Sequence, residues 1–211
     1  QNSNEESGLS SQICSGDNIL TSVFIELFLT KNNKVSGIYS FININISTNK
    51  FEIYENCIEN DDIESLYDDI FRIFLRYKSK EILITFKNDN NANEISQQNS
   101  KFSKEFICNY FDLDEKIVTV KNNLSEDLQT KFKNYNNINY ANEFLRKIYT
   151  HIEFGLLEPI EFFNLEKHQL SICNILFILD FIGKHDIKYL DNICIPEIIN
   201  EHNFLLLEMN T

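Results

Sequence analysis

Gly37-Ile-Tyr-Ser-Phe-Ile-Asn-Ile-Asn-Ile-Ser-Thr-Asn-Lys-Phe-Glu-Ile-Tyr-Glu55 decides the fold class. Ile38, Ser40, Ile42, Ile44 and Ile46 alternate with Tyr39, Phe41, Asn43 and Asn45. That period of two puts successive side chains on opposite faces of a strand spanning Gly37 to Ile46. Thr48-Asn49-Lys50 supplies a turn, with Asn49 tolerant of positive φ, and Phe51 to Glu55 returns as the next strand. The apolar run Val23 to Leu29 suits a buried strand ahead of them, joined through the short loop Lys31 to Lys34. The three strands form an antiparallel meander.

Downstream the period changes. Ile63, Leu66, Tyr67, Ile70, Phe74 and Tyr77 recur at steps of three and four, which predicts a helix over Asp61 to Lys78. Asp61, Asp62 and Glu64 lie in its first turn and Arg76, Lys78 and Lys80 at its end, as the helix dipole favours. Glu81 to Phe86 reads as a fourth strand, and a crossover of this length predicts that it runs parallel to its neighbour. The polar stretch Asn88 to Ser100 reads as a long loop or a disordered insertion. Phe102 to Phe111 reads as a short helix and Lys116 to Val120 as a fifth strand.

From Leu124 the pattern is helical. Leu124, Leu128 and Phe132 line one face, and Ile138, Ala141, Leu145 and Ile148 continue after the break at Asn134 to Asn137. Pro159 marks a loop between helices. Leu165 to Ile182 is apolar almost all round, so it predicts a helix buried among neighbours, with Gly183 as its C-cap. Pro196 opens another short segment. The sequence thus divides into a polar, disordered leader (1–16), an α/β domain (17–121) and the first part of a helical domain (122–211). The apolar helix starts a core that the chain ends too early to finish, which reads as a piece of something larger.

The two stretches most distinctive of this layout also carry a family resemblance. Gly37 to Glu55 resembles the connector-domain hairpin of the MutS family of DNA mismatch-repair ATPases, with Asn49 standing where the family usually has Gly. Leu170-Ser-Ile-Cys-Asn-Ile-Leu-Phe-Ile-Leu-Asp-Phe-Ile-Gly183 resembles the "leading Leu, small residue, long apolar run" helix at the start of that family's core, or lever, domain. There the helix packs between a preceding helix and an extended segment, here Phe204 to Glu208, which leads into a helix capped at Asn210 or Thr211.

The resemblance implies a ribonuclease-H-like α/β connector followed by an all-α partial lever, a non-catalytic region that couples mismatch recognition to the ATPase. It implies ATP and magnesium in the parent protein and none in this fragment. It implies partners too: the mismatch-binding, clamp and ATPase domains of the parent, mismatched duplex DNA through the parent, a MutL-type protein docked on the connector, and a dimeric parent. The mismatch-reading Phe-x-Glu motif and the ATPase motifs belong to parts of the family's chain outside this one, so no functional residue transfers by position.

Composition agrees with a supporting role. The chain has 211 residues, 43% of them hydrophobic, with 18 Phe, enough for substantial cores. Asn and Ile, about thirty each, together with Lys and Phe mark AT-rich coding, of the kind expected for a divergent giant-virus or organelle branch. The formal charge of −13 repels phosphate, so this region is not expected to make most contacts to duplex DNA. Cys14, Cys57, Cys108, Cys173 and Cys194 are scattered without a Cys-x-x-Cys pair, as reduced thiols inside a cell are, whether in the nucleus, an organelle or a viral replication site. The apolar run at 170–182 is too short to span a bilayer.

A ribonuclease-H-like sheet can cleave phosphodiesters only where about three carboxylates converge on two metal ions. Glu26 is a candidate first-strand acid, Glu64 or Asp68 a candidate helix acid, and Asp89 lies in the loop after the fourth strand, which leaves the set incomplete. No Gly-x-x-x-x-Gly-Lys-Ser/Thr loop and no Gly-x-Ser-x-Gly elbow occur. His151, His168, His185 and His202 recur every seventeen residues without Cys or acid at metal-ligand spacing. Cys173, inside the apolar helix, reads as a small core residue. No catalytic, cofactor or metal residue is assigned. The rival reading is a stand-alone acidic α/β interaction module.

Overall fold

The computed structural model of the chain describes residues 18–29, 35–56, 63–88, 100–122, 126–191 and 193–199. The polar leader, the loop at 31–34, Asp61 and Asp62, the Asn-rich stretch 89–99 and the segment 204–211 lie outside them.

The strands are β1 (Ile19–Leu29), β2 (Val35–Asn45), β3 (Lys50–Asn56), β4 (Glu81–Asn88), β5 (Val118–Asn122) and β6 (Glu197–Ile198). The helices are α1 (Ile63–Phe74), α2 (Lys104–Tyr110), α3 (Glu126–Tyr135), α4 (Ile138–Ile148), α5 (Pro159–Phe162) and α6 (Gln169–His185). The strands form one mixed sheet in the order β5-β4-β1-β2-β3-β6. β2 is antiparallel to β1 and β3, while β4 is parallel to β1, β5 to β4 and β6 to β3. The expected meander and the expected parallel fourth strand are both present. Asn49 takes φ 53° in the β2–β3 turn, the conformation the sequence reserved for it.

Strand parity divides the hydrophobic side chains between two faces. Val23, Ile25, Leu27, Tyr39 and Phe41 join Ile82, Ile84 and Phe86 under α1 and α2. Leu20, Phe24, Ile42, Ile44, Phe51, Ile53 and Leu83 point the other way, into a core shared with α3 to α6. Gly37 lets α1 come down onto β2: a Cβ there would meet Leu66 Cδ1 at 3.0 Å and the Glu26 carbonyl oxygen at 3.1 Å.

Three expectations need correction. The sequence assigns the apolar helix to a helical domain whose neighbours lie largely outside the chain. Instead α6 is buried from Leu170 to Leu179 against the sheet of the same chain. An all-round apolar pattern says that a helix is covered, not by what, and here one side faces β1 to β3 and the other α3 and α4. Second, Gly183 does not cap α6. The helix runs on to His185, and Gly183 is small because a Cβ there would meet Leu190 Cδ1 at 3.0 Å, where the 3₁₀ turn Ile187–Leu190 folds back. Third, Pro159 stands at the first position of α5, not in a loop; its missing N–H costs nothing there. Pro196 does precede a short element, β6.

Candidate functional site: the polar seam under α6

α6 enters the sheet edge where β1, β3 and β4 end, and polar groups collect there. The His168 side chain makes no cap bond at the start of α6. The missing acceptor comes from another element: Glu55 on β3 accepts from the Ser171 amide at 2.7 Å and from its hydroxyl. A carboxylate at this position satisfies an otherwise unpaired N–H and faces the positive end of the helix dipole. The Glu55 side chain is 3% exposed, and His168 Nδ1 lies 3.6 Å from its other oxygen without a hydrogen-bond partner.

One turn further on, Asn174 is fully buried in the apolar helix. Its Oδ1 accepts from the Ser22 hydroxyl at 2.6 Å, and its Nδ2 donates to the Ser40 carbonyl at 2.9 Å and the Ser22 carbonyl at 3.2 Å. Ser40 and Ser171 share a hydroxyl–hydroxyl bond of 3.0 Å. The result is a polar bolt through an apolar interface, joining β1, β2 and β3 to α6. The sequence pattern places these residues on their strands and helix but gives them no role. The signal was present as Ser22, Ser40, Ser171 and Asn174, four polar residues on otherwise apolar segments, each of which must find a partner once buried.

The candidate catalytic acids are not brought together. Glu26 pairs with Lys87, its parallel-strand neighbour, at 2.6 Å. Glu64 pairs with Lys101 at 2.5 Å, and Asp68 accepts from the Tyr110 hydroxyl at 2.7 Å. Parity separates them: Glu26 shares the α6 face with Phe24, whereas α1 covers the opposite face. Asp89 lies outside the described residues. Among those residues no three His, Cys, Asp or Glu side chains stand together as metal ligands. His185 Nδ1 approaches the Phe181 carbonyl at 3.0 Å and Nε2 lies 3.8 Å from Glu81, His151 sits beside Tyr149, and His202 is outside the described residues. Cys173 is 2% exposed; burial pushes its thiol up to about 12, so it stays protonated at neutral pH.

At the other end of α6 two adjoining grooves, about 310 and 260 Å³, share Ile46, Ile182 and Tyr189. Ile46 and Tyr189 remain exposed on their rims.

No protein-family model matches the chain. A protein of Acanthamoeba polyphaga mimivirus, named as a homologue of the DNA mismatch repair protein MutS, is 28% identical over 206 residues. This chain is similar to part of a MutS homologue. The match covers 92% of the chain and 17% of the mimivirus protein, so the chain spans a minor part of its MutS-like relative. No helix among the described residues is long and apolar enough to cross a membrane.

Proposed function

We propose that this chain is the connector region of a MutS-like mismatch-repair ATPase, a body that transmits movement and performs no chemistry of its own. The observation that carries the reading is the likeness to the mimivirus MutS homologue along nearly the whole chain. The sheet supports it: a β1–β2–β3 meander with β4 and β5 added in parallel beyond β1 has the strand order of a ribonuclease-H-like connector. The polar seam supports it as well. A region that passes rigid-body motion between a mismatch-reading domain and an ATPase must not shear between its helices and its sheet. Buried hydrogen bonds from three strands to α6 oppose that shear. On this reading α3 to α6 move with the sheet, and the lever begins beyond them.

ATP and Mg²⁺ would act elsewhere in the parent, as would contacts to mismatched DNA and the parent's dimer interface, and a MutL-type protein would dock on this body. Reading the coding sequence past codon 211 tests the proposal. A Gly-Lys-Ser/Thr phosphate loop several hundred codons on is expected; a stop codon directly after Thr211 overturns it. The grooves around Ile46 and Tyr189 favour a second reading, an acidic α/β interaction module acting alone. The stop codon would favour that one.

A further inference from the structure

The two grooves at the end of α6 differ from the rest of the surface in both polarity and charge. Their shared wall is Ile46, Ile182 and Tyr189. Ile46 is 42% exposed and Tyr189 56%, and Ile187, on the same 3₁₀ turn as Tyr189, is 70% exposed. Exposed apolar residues scattered singly are ordinary. Two on the walls of adjoining grooves, with a third on the turn beside them, make a patch of the kind that partners cover.

The whole chain carries 32 Asp and Glu against 19 Lys and Arg. The described charged residues lining the grooves reverse that balance: Lys188 in one, Lys80 in the other, and Glu81, which stands 3.8 Å from His185 Nε2. Lys80 Nζ donates to the side-chain oxygen of Asn18 at 2.8 Å. Among the described residues neither lysine has a carboxylate at ion-pair distance. The neighbouring Asp186 turns its carboxylate back to accept from the Lys188 amide, capping the 3₁₀ turn. Two lysines therefore stand at an apolar surface with their charges open to a partner.

We propose that these grooves dock a short acidic peptide segment of a partner protein. Its aliphatic or aromatic side chains enter the two grooves, and its carboxylates meet Lys80 and Lys188. At about 310 and 260 Å³ the grooves lie at or below the lower end of the range for small-molecule pockets, about 300–1,000 Å³, and suit one large side chain each. A second copy of this chain meeting the patch about a two-fold axis would set the same lysine-bearing surface against itself. An apolar wall with two lysines is a poor match for a nucleic-acid strand, whose binding draws on many phosphate contacts. The inference goes beyond the connector role and holds whether the chain acts within a longer parent or alone.

Amide chemical shifts of the whole chain, followed during titration with the peptide acetyl-Glu-Glu-Leu-Leu-Asp-Phe-Leu-Glu-Glu-amide, test the site. Saturable shifts are expected at Ile46, Ile182 and Tyr189. A counterpart with Lys in place of every acid, and another with Ser in place of every Leu and Phe, should leave those residues unmoved. Tyr189 is exposed, so Tyr189→Ser should leave the fold intact while weakening the acidic peptide about tenfold, the loss of one apolar anchor. Lys188→Glu should weaken it severalfold and reduce its salt dependence. Leu75→Ser, at an exposed position on α1 across the sheet, should change nothing. No saturable response to the acidic peptide, or an equal response to its Lys counterpart, overturns the site. Shifts at the same residues that grow with protein concentration alone would assign the grooves to a second copy. Peptide binding seen only in a variant shortened at Ile199 would assign them to residues 200–211. Either result overturns the proposal.

Discussion

Glu55, near the end of β3, receives the backbone N–H of Ser171, the third residue of α6, at 2.7 Å. A strand thus caps a helix more than a hundred residues later in the chain. Glu55→Ala leaves the Ser171 amide and hydroxyl without their acceptor, and should destabilise the fold by about 2–3 kcal/mol. Glu55→Gln keeps an acceptor and loses the charge at the helix dipole, so about 1 kcal/mol is expected. Urea unfolding of the two variants measures the difference; equal losses would show that the charge contributes nothing.

Asn174→Ala should cost about 1–3 kcal/mol, because Ser22 loses its acceptor and two strand carbonyls lose a donor inside an apolar interface. The triple replacement Ser22→Ala, Ser40→Ala, Asn174→Leu removes most of the side-chain polar atoms at once and should cost less than the single change. Thermal or denaturant unfolding of the set decides it. A triple variant far weaker than Asn174→Ala would mean that α6 is held by the network itself and not by the apolar contact around it.

Two glycines that look alike in sequence should respond differently to alanine. At Gly37 the new methyl meets a backbone carbonyl at 3.1 Å as well as two leucine methyls, and strands held by their ladder cannot yield. A loss of about 1–3 kcal/mol is expected. At Gly183 only the tip of Leu190 stands in the way, and the gain in helix propensity, about 1 kcal/mol, offsets its displacement. Urea midpoints should place Gly183→Ala near the unsubstituted protein and Gly37→Ala well below it.

Alkaline pH should unfold the protein early. Burial raises the pKa of Tyr39, Tyr67, Tyr135 and Tyr149 above the ordinary 10.0 and, with Glu52 adding to it, pushes Tyr77 up to about 12; Cys173 rises from 9.0 to about 12. The native state holds these protons after the unfolded chain has released them. Their contribution is complete below pH 9 and declines as pH climbs from there toward 12, by roughly 1.4 kcal/mol per pH unit for each group titrating only when unfolded. Unfolding free energies from pH 7 to 11 check the slope. Tyr149→Phe, which also gives up the bond from its hydroxyl to the Cys194 carbonyl, should make it shallower.

The local patterns carried over well into the structure. The alternation from Ile38 to Asn45 lies in strand β2, with Ile46 already in the turn that Asn49 completes, and the crossover through α1 brings β4 in parallel to β1. What stayed hidden was non-local. Nothing near residue 170 announces that its cap is Glu55, and a helix apolar on every side does not name the surface it lies on. Gly183 was misread for the same reason: a terminal glycine and a glycine under a folded-back turn are identical as text. The candidate acids Glu26, Glu64 and Asp68 failed to converge because of strand parity, which was legible, since Glu26 alternates with Ile25 and Leu27 under α1. The polar residues of the seam were legible too, as interruptions in apolar segments, but only in pairs whose members lie far apart.

β6 joins the sheet beside β3 through Glu197 and Ile198, with Ile199 donating to the Ile53 carbonyl at 2.8 Å. Residues 50–56 leave the ribosome long before residues 197–199 do. Until those arrive, the outer side of β3 offers its hydrogen-bonding groups to any passing strand, and synthesis itself becomes the interval of greatest exposure to misassociation.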